Sequence, residues 1–308
     1  MGSGEAPINM SQIFDALHQS QGERSGNAPR SFSTAKELLL AVEQKTEPHA
    51  NDEGPAGHLV SREHLLQFPA AQVSLPAHSR FVCFSNTDSL AAEKFRFLAT
   101  RLRHLQQKRT LKRIVITSSV PAEGKSMVAA NLACALAGGK QHILLVEGDL
   151  RRPSLAKQLG LGETPGLSEL LQGASDRFNN ILHLENQGFC VLTAGNIHTS
   201  APELMEAGRL ALCMDSVTAG FDWVVIDSPP MLPLADTTIW MRLADAIMLV
   251  TRPGVTTKSQ LQRSLEAIEQ SKLLGAVLNA STEATASKYY YHYSRKSAAI
   301  PIESSVAK

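Results

Sequence analysis

Cysteine is scarce and scattered in this chain of 308 residues: Cys83, Cys134, Cys190 and Cys213 stand far apart, with no CxxC pair. That spacing argues against a disulfide framework and against a zinc site. The ten histidines show no ligand spacing either. Net charge is nearly absent, since 30 basic side chains against 29 acidic ones leave a formal +1. A balance so close to neutral exerts no overall pull toward nucleic acid or an anionic membrane. No apolar run approaches the ~18 residues of a bilayer-spanning helix, and the first residues lack a charged-then-apolar leader pattern. These absences predict a soluble, cytoplasmic protein. The 43% hydrophobic content is ample for one large domain with an appendage, or for two small domains.

Composition shifts along the chain. Residues 1–80 contain two stretches, Ser20–Arg30 and Glu47–Gly57, rich in Gly, Ser, Asn, Pro and Glu. Such segments bury too little apolar surface to offset their ordering entropy, so a mostly disordered arm is expected. Two amphipathic patches interrupt it, Ile13, Phe14 and Leu17, then Leu38, Leu39, Leu40 and Val42. Each reads as a short helix, either weakly docked or binding a partner. From Phe81 onward the pattern is regular. Residues 89–108 predict an amphipathic helix, and its basic side chains read as a solvated face rather than a nucleic-acid surface. Strand candidates follow at Arg113–Thr117, His142–Val146, Phe189–Thr193, Trp223–Ile226, Ala246–Val250 and Gly275–Leu278. Helix candidates between them are Lys125–Ala137, Leu167–Leu171, Pro202–Val217, Thr237–Leu243 and Lys258–Gln270. Apolar strands alternating with helices imply an α/β fold, a doubly wound, mostly parallel sheet covered on both faces. Ligands in such folds collect at the carboxyl ends of the strands.

Three of those ends carry chemistry. The first leads into Ser118-Ser119-Val120-Pro121-Ala122-Glu123-Gly124-Lys125-Ser126 and then an apolar helix. This is the setting of a phosphate-binding loop, in which Gly124 allows close backbone approach and the helix N-terminus offers N–H groups to an anion. Lys125 reaches the β- and γ-phosphates of a nucleotide and Ser126 ligates Mg2+. Ser119 replaces the first glycine of the usual pattern. The second end, Val146-Glu147-Gly148-Asp149-Leu150-Arg151-Arg152, delivers two carboxylates two residues apart. On a strand such residues share a face, so Glu147 and Asp149 are candidates to hold a metal-bound water or take a proton. The plainer reading is a solvated strand-end turn neutralised by Arg151 and Arg152. The third is Val224-Val225-Ile226-Asp227-Ser228-Pro229-Pro230, where one acid ends a wholly apolar strand, costly unless it serves a cation. Finally, Tyr289, Tyr290, Tyr291 and Tyr293 are the only tyrosines of the chain. They form either a sticky low-complexity end or a set of phosphoacceptors.

Taken together, these motifs resemble the bacterial tyrosine kinases (BY-kinases) of capsule and exopolysaccharide assembly, over roughly residues 81–295. SSVPAEGKS looks like the family's Walker A loop, LLVEGDLRR its Walker A′ motif, VVIDSPP its Walker B motif and YYYHY its tyrosine cluster. ADAIMLVTRPGVTT and LGAVLN are similar to its last strands. The chain departs from the family at Glu147, where aspartate is usual, and at Ala99, the third position of an ExxRxxR helix motif begun by Glu93 and Arg96.

The resemblance implies a P-loop kinase domain over 81–285 with a tyrosine-rich tail over 286–308. It implies an ATP- and Mg2+-dependent tyrosine autokinase regulating exopolysaccharide synthesis and export. Lys125, Asp149, Glu147 and Asp227 are then the catalytic candidates, and Ser126, Asp149 and Asp227 the metal ligands. The nucleotide contacts expected are Ser119, Pro121, Ala122, Glu123, Gly124, Lys125, Ser126, Met127 and, toward the adenine, Asn279. Expected partners are a transmembrane polysaccharide chain-length (copolymerase) activator recruiting the chain to the inner face of the membrane, further copies of itself, and a cognate tyrosine phosphatase, but no nucleic acid. Competing readings are a ParA/MinD-like ATPase switch, whose extra loop lysine is Val120 here, and a catalytically inactive nucleotide-binding adaptor.

Overall fold

A computed structural model of the chain describes residues 68–76, 79–139, 141–173, 177–197, 201–205, 207–232 and 236–281. The arm up to residue 67, its two amphipathic patches and the tyrosine cluster lie outside the described residues. The strands are β1 (Ala70–Ala71), β2 (Arg113–Ser118), β3 (Ile143–Glu147), β4 (Ile181–Leu184), β5 (Phe189–Leu192), β6 (Trp223–Asp227), β7 (Ala246–Thr251) and β8 (Leu273–Leu278). The helices are α1 (Val82–Ser85), α2 (Leu90–Gln106), α3 (Lys125–Ala137), α4 (Leu155–Leu159), α5 (Leu167–Gln172), α6 (Arg177–Asn180), α7 (Ala201–Leu204), α8 (Ala207–Thr218), α9 (Asp236–Leu243) and α10 (Lys258–Ala267). The strands form one sheet in the order β1-β4-β5-β3-β6-β2-β7-β8. All neighbours are parallel except β4 and β5, which form an antiparallel hairpin. The alternation of elements along the sequence predicts this doubly wound, mostly parallel architecture.

The period of two along a strand divides the core between the two faces of the sheet. Ile114 and Ile116 of β2, Ile143 and Leu145 of β3, and Val225 of β6 pack beneath α2 and α3. Val115, Leu144, Val146, Val224 and Ile226 face the opposite way, toward Leu167, Leu210, Met214 and Trp240. Helix α3 lies between sheet and α2, which explains why its sequence, KSMVAANLACALA, is apolar or small almost all round. Helix α2 is amphipathic. Ser89 caps it by accepting from the Ala92 N–H, and Arg103 in its last turn donates to the carbonyls of Ala135 and Leu136 at the end of α3. Those are carbonyls the α3 helix cannot satisfy itself.

Several elements differ from the pattern read in the sequence. The sheet begins before Phe81: β1 pairs with β4, and Phe68 is buried and stacked against Phe221. The helix expected over Pro202–Val217 is interrupted between α7 and α8. Strand β4 was not expected: its short run, Ile-Leu-His-Leu, is interrupted by His183, unlike the unbroken Phe-Cys-Val-Leu of β5.

Candidate functional site

The register of the central strands brings three loops to one level. Asp227 at the end of β6 lies opposite Ile116 of β2 on one side and Glu147 of β3 on the other. The loops that continue from β2 and β3 therefore flank the one that continues from β6.

The loop after β2 is shaped by two left-handed backbone positions, Ala122 at φ 67° and Gly124 at φ 92°. Successive N–H groups in such a turn form a concavity suited to an anion. Gly124 has a second reason to lack a side chain, because a Cβ there would overlap the Asn279 amide. That amide, just past β8, donates to the Glu123 carbonyl at 2.8 Å, and the Asn279 N–H donates to Thr251 O at 2.8 Å. Arg252 donates to the Ala122 carbonyl. The loop is thus held from outside by the ends of β7 and β8. Met127 is the third residue of α3, where its sulfur accepts from Asn131.

The side chain of Glu123 is turned into the protein. Its side chain is fully buried, accepts from the Val120 N–H at 2.8 Å and accepts from the Thr256 hydroxyl. Burial pushes its carboxyl above the ordinary value, and hydrogen bonds from Thr256 and from backbone N–H groups oppose that. The carboxylate points into the protein and braces the loop, leaving its backbone for a ligand. Ser119, by contrast, is buried with a hydroxyl that has no partner among the described residues.

Lys125 is the centre of the site. Its ammonium nitrogen is 2.9 Å from Asp149 Oδ2 and 3.5 Å from Asp227 Oδ1. Burial acts to lower its pKa, but the Asp227 and Asp149 carboxylates outweigh that and raise it, so Lys125 is cationic. Burial pushes the Asp227 carboxyl up to about 6 despite the pull of Lys125 and a hydrogen bond from Ser126. Lys125 is thus a cation within reach of both acids. Lys125, Ser126, Asp149 and Asp227 are brought together as the sequence reading expected.

Glu147 is not. The strand ends at Glu147, so the face-sharing alternation does not extend to Asp149. Its Oε1 accepts from the N–H groups of Ser154 at 2.6 Å and Leu155 at 2.5 Å, and Oε2 accepts from Ala194 N–H at 3.1 Å. The carboxylate is spent anchoring the start of α4 and the end of β5. Asp149 accepts from Arg152 N–H at 3.1 Å with one oxygen and meets Lys125 with the other.

Three contributors were not legible. Asp236, at the start of α9, forms a two-pronged pair with Arg151. Trp240 on the same helix donates its indole N–H to the Gly148 carbonyl at 3.0 Å. Thr256 bonds Glu123 from the turn after β7. Asp236 opens a helix, where an acid is ordinary, and Trp240 reads as core. No local pattern marks either.

The residues fit a magnesium nucleotide. A backbone cradle stands beside a lysine and the Ser119 hydroxyl, which has no partner among the described residues, and Ser126 bonds a buried carboxylate whose pKa burial raises.

No family model matches the chain. It is 33% identical over 213 residues to the tyrosine-protein kinase YwqD of Bacillus subtilis, covering 68% of this chain and 90% of that protein. It is 29% identical over 213 residues to the tyrosine-protein kinase etk of Escherichia coli, spanning 29% of the length of etk. Among solved structures, the chimerical protein CapA2B2 superposes with a TM-score of 0.62 at 30% identity, covering 71% of this chain and 97% of that one. The kinase domain of the Escherichia coli tyrosine kinase ETK gives 0.60 at 26% identity, over 75% of this chain and 98% of that one.

Proposed function

From a chain that belongs to the bacterial tyrosine-protein kinases, we propose an ATP-dependent protein-tyrosine autokinase whose acceptors are Tyr289, Tyr290, Tyr291 and Tyr293. The observation that carries this reading is the convergence of Lys125, Asp149 and Asp227 within 3.5 Å. The catalytic unit is residues 81–285 together with the sheet-edge segment from Phe68 that precedes them, with the residues before Phe68 as an arm and 286–308 as the acceptor tail.

Phosphoryl transfer asks a protein mainly for positioning and for neutralisation of phosphate oxygens. The loop N–H groups from Ala122 to Lys125 and the Lys125 ammonium hold the phosphates. Ser126 and Asp227 hold Mg2+, which supplies charge neutralisation when bound. A tyrosine hydroxyl, with a pKa near ~10, arrives protonated. Asp149 orients it and accepts its proton. Lys125 moved onto a phosphate leaves Asp149, which frees that carboxylate for the hydroxyl.

Phosphate on the tail adds roughly −1.5 to −2 charges per tyrosine. Packed into five positions, these charges repel each other and the acidic site, so a modified tail leaves the subunit that phosphorylated it. Transfer between copies of the chain, activation by a transmembrane polysaccharide copolymerase, recruitment to the inner membrane face and reversal by a tyrosine phosphatase complete the proposal. Among the described residues no helix is long and apolar enough to cross a membrane. An ATPase switch of the MinD type draws no support from Val120, which stands where the extra lysine belongs.

The experiment is incubation of the full chain with Mg-ATP and detection of phosphotyrosine. Signal is expected in the wild type and absent both in Lys125→Met and in a chain lacking residues 286–308. Signal that survives either change overturns the assignment of site or acceptor.

A further inference from the structure

Asp149 sits on the short connection from β3 to α4, a segment whose geometry no regular element dictates. Four contacts restrain it. The Gly148 N–H donates to Asp227 O at 2.8 Å, and the Gly148 carbonyl accepts the Trp240 indole N–H at 3.0 Å. The Arg151 guanidinium grips Asp236 with two nitrogens. At the far end, Glu147 collects the N–H groups of Ser154 and Leu155. Two of these four contacts come from one helix, α9, with Asp236 at its first residue and Trp240 one turn on.

The contact with Trp240 is close as well as polar. A Cβ on Gly148 would lie 2.7 to 2.9 Å from indole atoms, so the ring is pressed against bare backbone. Trp240 is wholly buried and Asp236 is buried too. A buried tryptophan needs an acceptor for its N–H, and any carbonyl of a neighbouring loop would satisfy that need. Here the acceptor is the residue immediately before Asp149, and the Asp236 clamp closes two residues after it.

We infer that Trp240 and Asp236 are positioning residues for Asp149, fixing the backbone on both sides of it so that its carboxylate reaches Lys125. The inference rests on the proposed role of Asp149 as the group that meets the acceptor hydroxyl. It goes further by assigning the accuracy of that placement to α9. Because α9 follows the Asp227 loop in the chain, and its Thr237 hydroxyl bonds the carbonyls of Pro229 and Pro230, one helix sets the relative placement of both acids.

The test uses the full chain carrying Trp240→Phe, which keeps most of the ring volume and removes the N–H, and separately Asp236→Asn, which keeps shape and removes the charge. With Mg-ATP varied, the kcat for phosphotyrosine formation is expected to fall at least ~10-fold in each, while KM for ATP stays within roughly 3-fold. On an Asp149→Asn background, neither change should slow the residual rate by more than about 2-fold, because the route of action is already cut. Amide hydrogen exchange without nucleotide provides a readout independent of catalysis. Gly148–Arg152 should exchange at least ~10-fold faster in Trp240→Phe, with Val120–Lys125 unchanged. Unchanged kcat in both variants, a further tenfold loss (about 10-fold) on the Asp149→Asn background, or equal acceleration of exchange in both loops would overturn the inference. A wild type that makes no phosphotyrosine defeats the kinase reading alone, and the exchange measurement then decides the positioning claim.

Discussion

Replacing Asp227 by asparagine should make the nucleotide-free protein more stable while removing its function. Asp227 is 1% exposed, and its carboxyl is pushed by burial from 3.8 up to about 6. A raised carboxyl pKa means that the folded state holds the proton more tightly than the unfolded state does. Between about pH 4 and 6 the folded protein therefore binds a proton that the unfolded chain has lost, and stability falls as pH rises through that window. Above about 6 the loss is complete, and the roughly two-unit shift corresponds to about 3 kcal/mol. Asparagine resembles the neutral acid and carries no such cost. Asp227→Asn should accordingly match the wild type near pH 4 and exceed it by up to about 3 kcal/mol at pH 7.5, a gain of roughly 6–12 °C in Tm for a domain of this size. The assay is thermal or denaturant unfolding of both proteins without nucleotide at the two pH values, followed by Mg-ATP titration at pH 7.5. Mg-ATP should stabilise only the wild type appreciably, through binding linkage. A variant less stable than the wild type at pH 7.5, or a stability difference that does not shrink toward pH 4, would refute the argument that burial dominates at Asp227.

Glu147→Gln sets an amide NH2 against backbone N–H donors. It should cost about 2–3 kcal/mol in denaturant unfolding, with the rate per folded molecule kept within roughly 3-fold; a slowed rate at unchanged stability would return Glu147 to the chemistry. Gly148→Ala presses a methyl group into the Trp240 ring. The expected strain is about 1–3 kcal/mol, visible as a lowered unfolding midpoint and an altered tryptophan emission, and an unchanged midpoint would contradict the close packing. Gly124→Ala meets both a left-handed φ of 92° and the Asn279 amide. Nucleotide affinity by calorimetry should drop at least ~10-fold. Adding Asn279→Ala should relieve the overlap without restoring affinity, because the backbone strain remains.

The fold is legible in the residues where the signals are local. Helix α3 was readable to its end residues because SMVAANLACALA is apolar all round and follows a Gly-Lys-Ser start. The central strands β2, β3, β6 and β7 were readable because burial on both faces demands unbroken Val, Ile and Leu. Strand β1 escaped because two residues carry no period, and β4 because His183 breaks its short apolar run; both lie at or near the sheet edge and draw their stability from their neighbours. The same limit separated the acids. Asp149, Asp227 and Lys125 were legible as strand-end or loop residues. Glu123 and Glu147 occupied equally suggestive positions in the sequence and proved to be braces.

Sequence alone was enough for the existence of a phosphate loop, for the acids at the tips of neighbouring strands, and for the parallel sheet that brings such tips together, because each follows from short-range order and apolar pattern. What folding decided was which carboxylate faces Lys125. A carboxylate turns toward the nearest unsatisfied donors. For Glu147 those are the N–H groups of Ser154, Leu155 and Ala194, and for Glu123 they include the N–H of Val120 and the hydroxyl of Thr256. Asp149 and Asp227 are left with the lysine because α9, arriving from elsewhere in the chain, holds the backbone beside Asp149 in place.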